Sequence, residues 1–163
     1  MPTQAIKECQ RCKATTKAGH RCKNRTCRGK YCWQHLKKEQ GLRVKPSEIA
    51  GAGLGLFTAK PFKKNEKIVD YTGERVSRAQ IDRRYVGTTG QYVLCDGNRP
   101  KSRCVDARKT NSGAGRYAND ARGSSQRNNA RFLQRGFGIK ATRNIPVGRE
   151  VLVSYGRGYW RRV

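Results

Sequence analysis

Residues 115–120 read Gly-Arg-Tyr-Ala-Asn119-Asp120, and residues 151–156 read Val-Leu-Val-Ser-Tyr155-Gly156. The first stretch places an asparagine in a tight turn that begins with glycine, and the second ends a β-branched run on a tyrosine. Two earlier stretches belong with them: the glycine ladder Gly51-Ala-Gly-Leu-Gly-Leu-Phe57 and the stretch Asp70-Tyr-Thr-Gly-Glu74. The order and separation of these four stretches decide the fold prediction.

The chain is short and strongly basic. Its 163 residues can form one compact domain with a small appendage. No apolar run approaches the ~20 residues of a membrane span, so we expect no membrane partner, and the N-terminus lacks the apolar core of a secretion signal. The net charge of +26 far exceeds what solubility requires. We therefore expect a polyanionic partner, with DNA, RNA or nucleosomes favoured over a membrane surface.

Short strand-like runs alternate with turn signals from Ile49 onward. The predicted strands are Gly55–Ala59, Lys67–Tyr71, Gln91–Cys95, Arg103–Asp106, Ala130–Leu133, Gly138–Ala141 and Val151–Val153. One helix is predicted over Arg78–Tyr85, because Ser77 and Gln80 form the Ser-x-x-Gln pattern of a capping box. These patterns predict a mostly β (α+β) domain.

Cysteines are concentrated in the first 35 residues. A structural zinc site needs four thiolate or imidazole ligands and is closed by a short chelating pair, as Cys32-x2-His35 would provide. We predict a zinc knuckle whose Zn²⁺ ligands are Cys12, Cys22, Cys32 and His35. The segment also looks like a small Cys/His knuckle of viral and bacterial proteins. The alternative is a disordered basic arm with reduced thiols, although so short a segment needs a metal to fold.

The remaining cysteines have no predicted ligand role. Cys9 and Cys27 are surplus to one metal site, while Cys95 and Cys104 flank a turn. Without an export signal, we expect the seven cysteines to be metal ligands and free thiols rather than a disulfide framework.

The glycine ladder taken alone is also compatible with other folds. A dinucleotide-binding fingerprint needs a small residue where Leu56 stands and a helix that begins there. The run Leu54–Thr58 is strand-like instead, and the sequence contains no Gly-Lys-Ser/Thr to hold a nucleotide phosphate. A plain hairpin turn remains open for this motif on its own.

Taken together, the four stretches resemble the SET-domain protein-lysine methyltransferases over about residues 44 to 160. The resemblance implies a SET-domain β-clip fold, in which the C-terminal segment threads through a preceding loop as a pseudoknot. We expect a zinc-binding knuckle at residues 1–38, a basic linker at 39–46 and the SET domain at 47–163. The compact length resembles small viral or microbial members.

The resemblance also implies a site for S-adenosylmethionine. The glycine ladder would let the backbone lie close to this cofactor, where a side chain would collide. Asn119 would bond the cofactor, and Trp160 would stack on its adenine. The residues that would bind the cofactor are Ala52, Gly53, Leu54, Tyr92, Arg116, Asn119, Asp120 and Trp160.

The implied chemistry is in-line attack of a lysine amine on the sulfonium methyl group. Tyr155 and Tyr71 would be the catalytic residues, and Tyr71, Phe132 and Val153 would line the substrate channel. Because the reference pKa of lysine is about 10.4, an apolar channel must favour the neutral amine. Neither Phe132 nor Val153 carries a hydroxyl group, and we predict multiple methylation.

Some positions depart from the family pattern. Asp120 stands where a histidine is typical, Ser154 replaces the aspartate before the catalytic tyrosine, and Asn128 stands where a proline is usual. An imidazole donates and accepts hydrogen bonds, whereas an ionised aspartate only accepts them. The hydrogen bonding of the loop around Asp120 must therefore differ.

We predict methylation of a histone tail in its nucleosomal context. Histone tails are themselves basic, so the positive charge would serve contact with nucleosomal DNA. The expected location is intracellular, in the nucleus or on chromatin (the host nucleus if the protein is viral), and the oligomeric state, a homodimer included, stays open. The alternative is a catalytically impaired SET scaffold that acts as a basic, zinc-containing protein binding nucleic acid or chromatin. Asp120 and Ser154 favour this alternative.

Overall fold

Short antiparallel sheets dominate the structure, a computed structural model that describes residues 5–88 and 90–160. The strands are β1 (Gln10–Arg11), β2 (Arg25–Thr26), β3 (Leu42–Pro46), β4 (Leu54–Thr58), β5 (Lys67–Asp70), β6 (Glu74–Ser77), β7 (Val93–Cys95), β8 (Arg103–Asp106), β9 (Ala130–Leu133) and β10 (Gly138–Ala141). The helices are α1 (Trp33–His35), continued by a π-helical turn over Leu36–Gln40, α2 (Arg78–Arg84), a 3₁₀ turn over Ala114–Tyr117, and α3 (Arg157–Trp160). The predicted mostly β fold is confirmed.

The strands form four small sheets: β1–β2, β3–β4, β5–β10–β9 and β6–β8–β7. Strand β4 lies in the hydrophobic core, since its last four residues are buried. The predicted helix is confirmed with its capping box: the Gln80 N–H donates to Ser77 Oγ (3.3 Å), and the Ser77 N–H donates to Gln80 Oε1 (2.7 Å). No helix among the described residues has the length and apolar character needed to cross a membrane.

Residues 39–46, expected to be a linker, include strand β3. Leu42 is completely buried and pairs with Thr58 of β4. Apolar Leu42 and Val44 alternate with exposed Arg43 and Lys45, which is the period-two pattern of a half-buried strand. The basic residues on the exposed face conceal this pattern in a composition-based prediction.

The segment that begins at Glu150 pairs with three earlier parts of the chain. Glu150 bridges Phe57 in antiparallel orientation, and Leu152 bridges Asn119 in parallel orientation. The third bridge joins Val153 to Ala130, the first residue of β9. These bridges replace the regular strand predicted over Val151–Val153 and agree with a C-terminal segment held between earlier loops. They also bring Tyr155 beside the Asn119 turn.

Two disulfides correct the expectation of metal ligands and free thiols alone. Cys95 and Cys104 are paired opposite each other on β7 and β8, and they form one disulfide. Cys9 and Cys27 form the other, where the β1–β2 pair ends. Antiparallel pairing places directly opposed side chains within reach of each other. Spacing along the sequence did not reveal this register.

Candidate active site and metal centre

A cleft of about 730 Å³ lies between the glycine ladder, the 3₁₀ turn and α3. Every residue that the sequence nominated for the cofactor lines this cleft, and so does Tyr155. The nominated residues are Ala52, Gly53, Leu54, Tyr92, Arg116, Asn119, Asp120 and Trp160. The structure therefore brings together residues that are more than 100 positions apart in the chain.

Asn119 is anchored by its side-chain amide. Its Nδ2 donates to Leu54 O (3.0 Å), to Glu150 Oε1 (3.1 Å) and to Ser47 Oγ (3.2 Å). The Glu150 carboxylate is buried and also accepts hydrogen bonds from Ser47 Oγ (2.7 Å) and the Glu48 N–H (2.8 Å). This network holds the Asn119 turn against Leu54, the first residue of β4, and stabilises this part of the cleft wall.

Asp120 accepts four hydrogen bonds. Its Oδ2 accepts from the Tyr155 N–H (2.8 Å) and Trp160 Nε1 (3.1 Å). Its Oδ1 accepts from the Arg122 N–H (3.0 Å) and Asn128 Nδ2 (3.2 Å). Burial alone would raise the pKa of Asp120, but the hydrogen bonds outweigh it and hold the pKa below its ordinary value. The aspartate therefore stays ionised and connects the turn to the C-terminal segment.

Arg116 fixes the opposite part of the cleft wall. It is buried, and its Nε donates to Ala107 O (2.7 Å). Its guanidinium carbon lies 4.1 Å from the centroid of the Tyr92 ring, a cation–π geometry. The Tyr92 carbonyl in turn accepts a hydrogen bond from the Tyr71 hydroxyl (3.0 Å). The cleft is thus connected to Tyr71 through Tyr92.

An aromatic cluster adjoins the cleft at Tyr155. The Phe132 ring lies edge-on to Tyr71 at 5.5 Å and stacks near Tyr155 at 6.4 Å, while Tyr155 stacks with Trp160 at 6.0 Å. All three predicted channel residues, Tyr71, Phe132 and Val153, lie outside the lining of the cleft. Val153 is completely buried in the core. Tyr155 both lines the cleft and packs in the aromatic cluster, so the two adjoin at this residue.

The two tyrosine hydroxyls are committed donors. Tyr155 donates to Ala118 O (2.9 Å), and Tyr71 donates to Tyr92 O (3.0 Å). Burial raises the pKa of both tyrosines well above the ordinary value. Both hydroxyls therefore stay protonated at neutral pH, and neither can act as a general base. Their oxygen lone pairs can still accept a hydrogen bond from an amine.

The predicted metal ligands also meet in space. The ligand atoms of Cys12, Cys22, Cys32 and His35 all lie within 4.8 Å of one another, and the three cysteines are buried. Zinc with sulfur ligands at about 2.3 Å separates adjacent sulfurs by about 3.8 Å, so the cluster fits a closed tetrahedral site. Burial opposes a thiolate at Cys32, but hydrogen bonds from His35, Asn24 and Cys12 outweigh it and lower the pKa of Cys32 to about 6, whereas burial raises the pKa of Cys12. A bound zinc ion would itself favour the thiolate form of both residues.

Several residues of the site carried no signal strong enough to nominate them. The Tyr159 ring lies 4.8 Å from Tyr155 and also lines the cleft; its place beside Trp160 was the available hint. Ser47 bonds Glu150 across 103 positions, a contact that no local pattern reports. Lys7 and Arg28, from the N-terminal segment and the knuckle, line the same cleft.

The part of the chain that forms this cleft is also similar to known proteins. Residues 53–156 match the SET domain family. N-lysine methyltransferase KMT5A of Xenopus tropicalis is 28% identical over 130 residues, which cover 73% of this chain and 37% of that protein. Histone-lysine N-methyltransferase Set8 of Drosophila melanogaster is 27% identical over 123 residues, which cover 71% of this chain and 18% of that protein. The chain thus matches well under half the length of these relatives.

Proposed function

The chain belongs to the SET-domain family, and from that premise we propose that it is an S-adenosylmethionine-dependent protein-lysine N-methyltransferase. The observation that carries the proposal is the position of Tyr155. This residue lines the cleft beside Asn119 and Trp160, and it also packs against Phe132 of the aromatic cluster. A methyl donor in the cleft and a lysine among the aromatic rings would meet at Tyr155.

The cleft fits the cofactor chemically. A Cβ atom at Gly51 or Gly53 would meet no protein atom within 4 Å, so the backbone there borders open space that a ligand can fill. Aromatic faces at Tyr159 and Trp160 suit a purine. When bound, S-adenosylmethionine supplies a methyl group activated by a sulfonium. The residues that would line its site are those nominated from the sequence, with Asn119 and Asp120 shaping the wall through their hydrogen bonds to the protein.

The aromatic residues would prepare the lysine. A buried apolar wall disfavours the ammonium form, so Tyr71 and Phe132 would shift the amine towards its neutral state. The oxygen of Tyr155 would accept a hydrogen bond from the amine and aim its lone pair. Positioning of this kind carries much of the rate in a bimolecular transfer.

We further propose a histone tail in a nucleosome as the substrate and zinc as a structural ion of the knuckle. The name of the Drosophila relative identifies it as a histone-lysine methyltransferase. The net charge of +26 would repel a basic tail, but it suits contact with nucleosomal DNA. The ion would be held by Cys12, Cys22, Cys32 and His35, and it would stabilise the fold of the knuckle.

Transfer of a labelled methyl group to core histones tests the activity. We expect the wild type to be active, Tyr155→Phe to lose most activity, and the control Tyr31→Phe to retain it, because Tyr31 packs on the core outside the cleft. Calorimetry with S-adenosylhomocysteine separates the impaired-scaffold alternative. That alternative requires no cofactor affinity while DNA binding persists, and such a result would overturn the enzyme proposal.

Comparison of nucleosomes with free histone peptide tests the substrate proposal. Phosphate contacts release counterions, so the advantage of nucleosomes should fall steeply between about 50 and 200 mM salt. Equal rates on both substrates at low salt would contradict the nucleosomal context and leave the methyltransferase proposal standing.

A further inference from the structure

The N-terminal segment is docked beside the cleft by main-chain hydrogen bonds. Ile6 forms a parallel bridge with Lys109, in which the Ile6 N–H donates to Arg108 O (2.9 Å) and the Thr110 N–H donates to Ile6 O (2.9 Å). The Glu8 N–H donates to Thr110 Oγ1 (2.9 Å). These bonds position the segment independently of long side chains at the surface.

A second set of contacts fixes the knuckle at the same place. The Gly29 N–H donates to Thr110 O (3.0 Å), and the side-chain amide of Gln10 donates to Gly29 O (3.2 Å). Gly29 has φ +98°, and a Cβ atom there would lie 3.3 Å from the backbone of Gly113. Both the conformation and the close approach favour glycine. The adjacent residue, Arg28, is therefore held at the rim of the cleft.

This docking makes the N-terminal region part of the cleft wall. Ala5, Lys7, Cys27 and Arg28 line the cleft together with Thr110, Arg116 and Tyr117. The guanidinium carbon of Arg116 lies 4.9 Å from the Tyr117 ring centroid. Burial raises the pKa of Tyr117, and the positive charges of Arg116 and Arg28 oppose that rise. Knuckle and SET residues thus contribute positive charge to one wall.

The charges on this wall are unbalanced. Asp120 is the single carboxylate that lines the cleft among the described residues, and it already accepts four hydrogen bonds. Among the described residues, the four cations that line the cleft, Lys7, Arg28, Arg116 and Arg122, form no salt bridge; Arg122 lies over the Trp160 ring, with its guanidinium carbon 5.2 Å from the ring centroid. Lys7, Arg28 and Arg116 lie on the side of the cleft where the N-terminal region docks, and cations without a carboxylate partner favour an anionic group in the ligand.

We propose that Lys7 and Arg28 bind the carboxylate of the cofactor's amino-acid moiety, so that the knuckle completes the cofactor site. This inference rests on the proposed function. S-adenosylmethionine carries one anionic group, its carboxylate, and its sulfonium is positive and repelled by cations. The ammonium is bonded to the same carbon as the carboxylate, so the carboxylate oxygens would face the cations and the ammonium would point away from them. The basic wall therefore directs the carboxylate towards the knuckle and leaves the sulfonium towards Tyr155.

Calorimetry on the full, zinc-loaded chain tests the assignment with two probes. S-adenosylhomocysteine has the carboxylate, and 5′-methylthioadenosine lacks the whole amino-acid moiety. We expect Arg28→Gln and Lys7→Gln each to weaken S-adenosylhomocysteine binding about fivefold to tenfold, as loss of a charge-assisted contact does, and to leave 5′-methylthioadenosine binding unchanged. The control Arg25→Gln removes a charge from β2 outside the cleft lining and should change neither.

Other outcomes overturn the assignment in distinguishable ways. Wild-type affinity for S-adenosylhomocysteine in both Arg28→Gln and Lys7→Gln would refute it, while cofactor binding and the proposed function would stand. Equal weakening of both probes would also refute it, because the residues would then support the wall rather than recognise a carboxylate. Failure of the wild type to bind S-adenosylhomocysteine would overturn the proposed function as well. Zinc content and circular dichroism verify that each variant is folded.

Discussion

Asn128 donates a hydrogen bond from its side-chain amide to Asp120 Oδ1 (3.2 Å), which joins two positions that the sequence analysis singled out as departures from the family it resembles. A proline at position 128 has no side-chain donor, whereas an ionised aspartate at position 120 needs one. Asn128 also accepts a hydrogen bond from the Ala121 N–H (2.9 Å) through its Oδ1. The two departures therefore stabilise the same turn together.

The first prediction is energetic coupling between these residues. Asp120→Ala and Asn128→Ala should each destabilise the protein, and the double variant should lose about 1 kcal/mol less than the sum of the single losses, because contacting residues are not additive. Urea denaturation of all four proteins measures the coupling. A cycle of Asp120→Ala with Asp82→Ala serves as the control and should be additive within about 0.5 kcal/mol, because exposed Asp82 pairs with Arg78 and shares no hydrogen-bond partner with Asp120. Additivity in the Asp120–Asn128 cycle would contradict the prediction.

The second prediction concerns pH. Since folding lowers the pKa of Asp120, its contribution to the free energy of unfolding is present above the unfolded pKa of about 3.9 and is lost as the pH falls through the folded value. Asn cannot ionise, so the stability difference between the wild type and Asp120→Asn should shrink as the pH falls below about 4. Chemical denaturation from neutral to acidic pH measures this difference. A difference that stays constant throughout would contradict the lowered pKa.

The residues nominated for the cofactor line one cleft because they lie in short motifs around tight turns. In the Gly115–Asp120 stretch and in the glycine ladder, the residues of interest are separated by only a few positions. Recognising the motif therefore also locates these residues in the fold. Asp120 was nominated in this way, but its four donors come from residues 2 to 40 positions away. The motif therefore identified Asp120 but could not predict which residues donate hydrogen bonds to it.

Features set by long-range register were not predictable in the same way. Ser47 and Glu150 meet because the C-terminal segment pairs with β4, and no local periodicity encodes that pairing. The Cys95–Cys104 disulfide likewise depends on which residues oppose each other on β7 and β8. Strand β3 was missed because its exposed basic face made the segment resemble a linker.

The third prediction is that Gly55 cannot accept a side chain. A Cβ atom at this position would overlap the buried carboxylate of Glu150, which is held by Ser47 and Asn119 and cannot move without breaking their hydrogen bonds. Gly55→Ala should cost about 1–3 kcal/mol of stability, the usual range for overpacking. Gly97→Ala is the control, because its Cβ would meet mainly the Ser102 hydroxyl, which is partly exposed and accepts one hydrogen bond from the Arg99 N–H, rather than a buried carboxylate. Thermal unfolding distinguishes them, and equal melting temperatures would contradict the prediction.

The fourth prediction separates the metal ligands from the disulfide. The purified chain should contain one zinc ion, because Cys12, Cys22, Cys32 and His35 form a single cluster. Cys22→Ser should abolish zinc binding, and it should also unfold the knuckle, whose fold depends on the ion. Cys27→Ser removes only the bond to Cys9 and should retain the zinc. Elemental analysis measures the metal, and retention of zinc by Cys22→Ser would contradict the ligand set.

The fifth prediction concerns the number of methyl groups transferred. Phe132 lies between Tyr71 (5.5 Å) and Tyr155 (6.4 Å), so the wall that would face the amine has an apolar ring at its centre. Wild type should therefore produce dimethyl- and trimethyl-lysine on a histone peptide. In Phe132→Tyr an added hydroxyl would occupy room and hold a water beside the amine, which should shift the product towards monomethyl-lysine.

Mass spectra of the peptide products measure this shift. Affinity for S-adenosylhomocysteine is the control and should not change, because Phe132 lies outside the cleft lining. Wild-type product that stops at monomethyl-lysine would contradict the prediction.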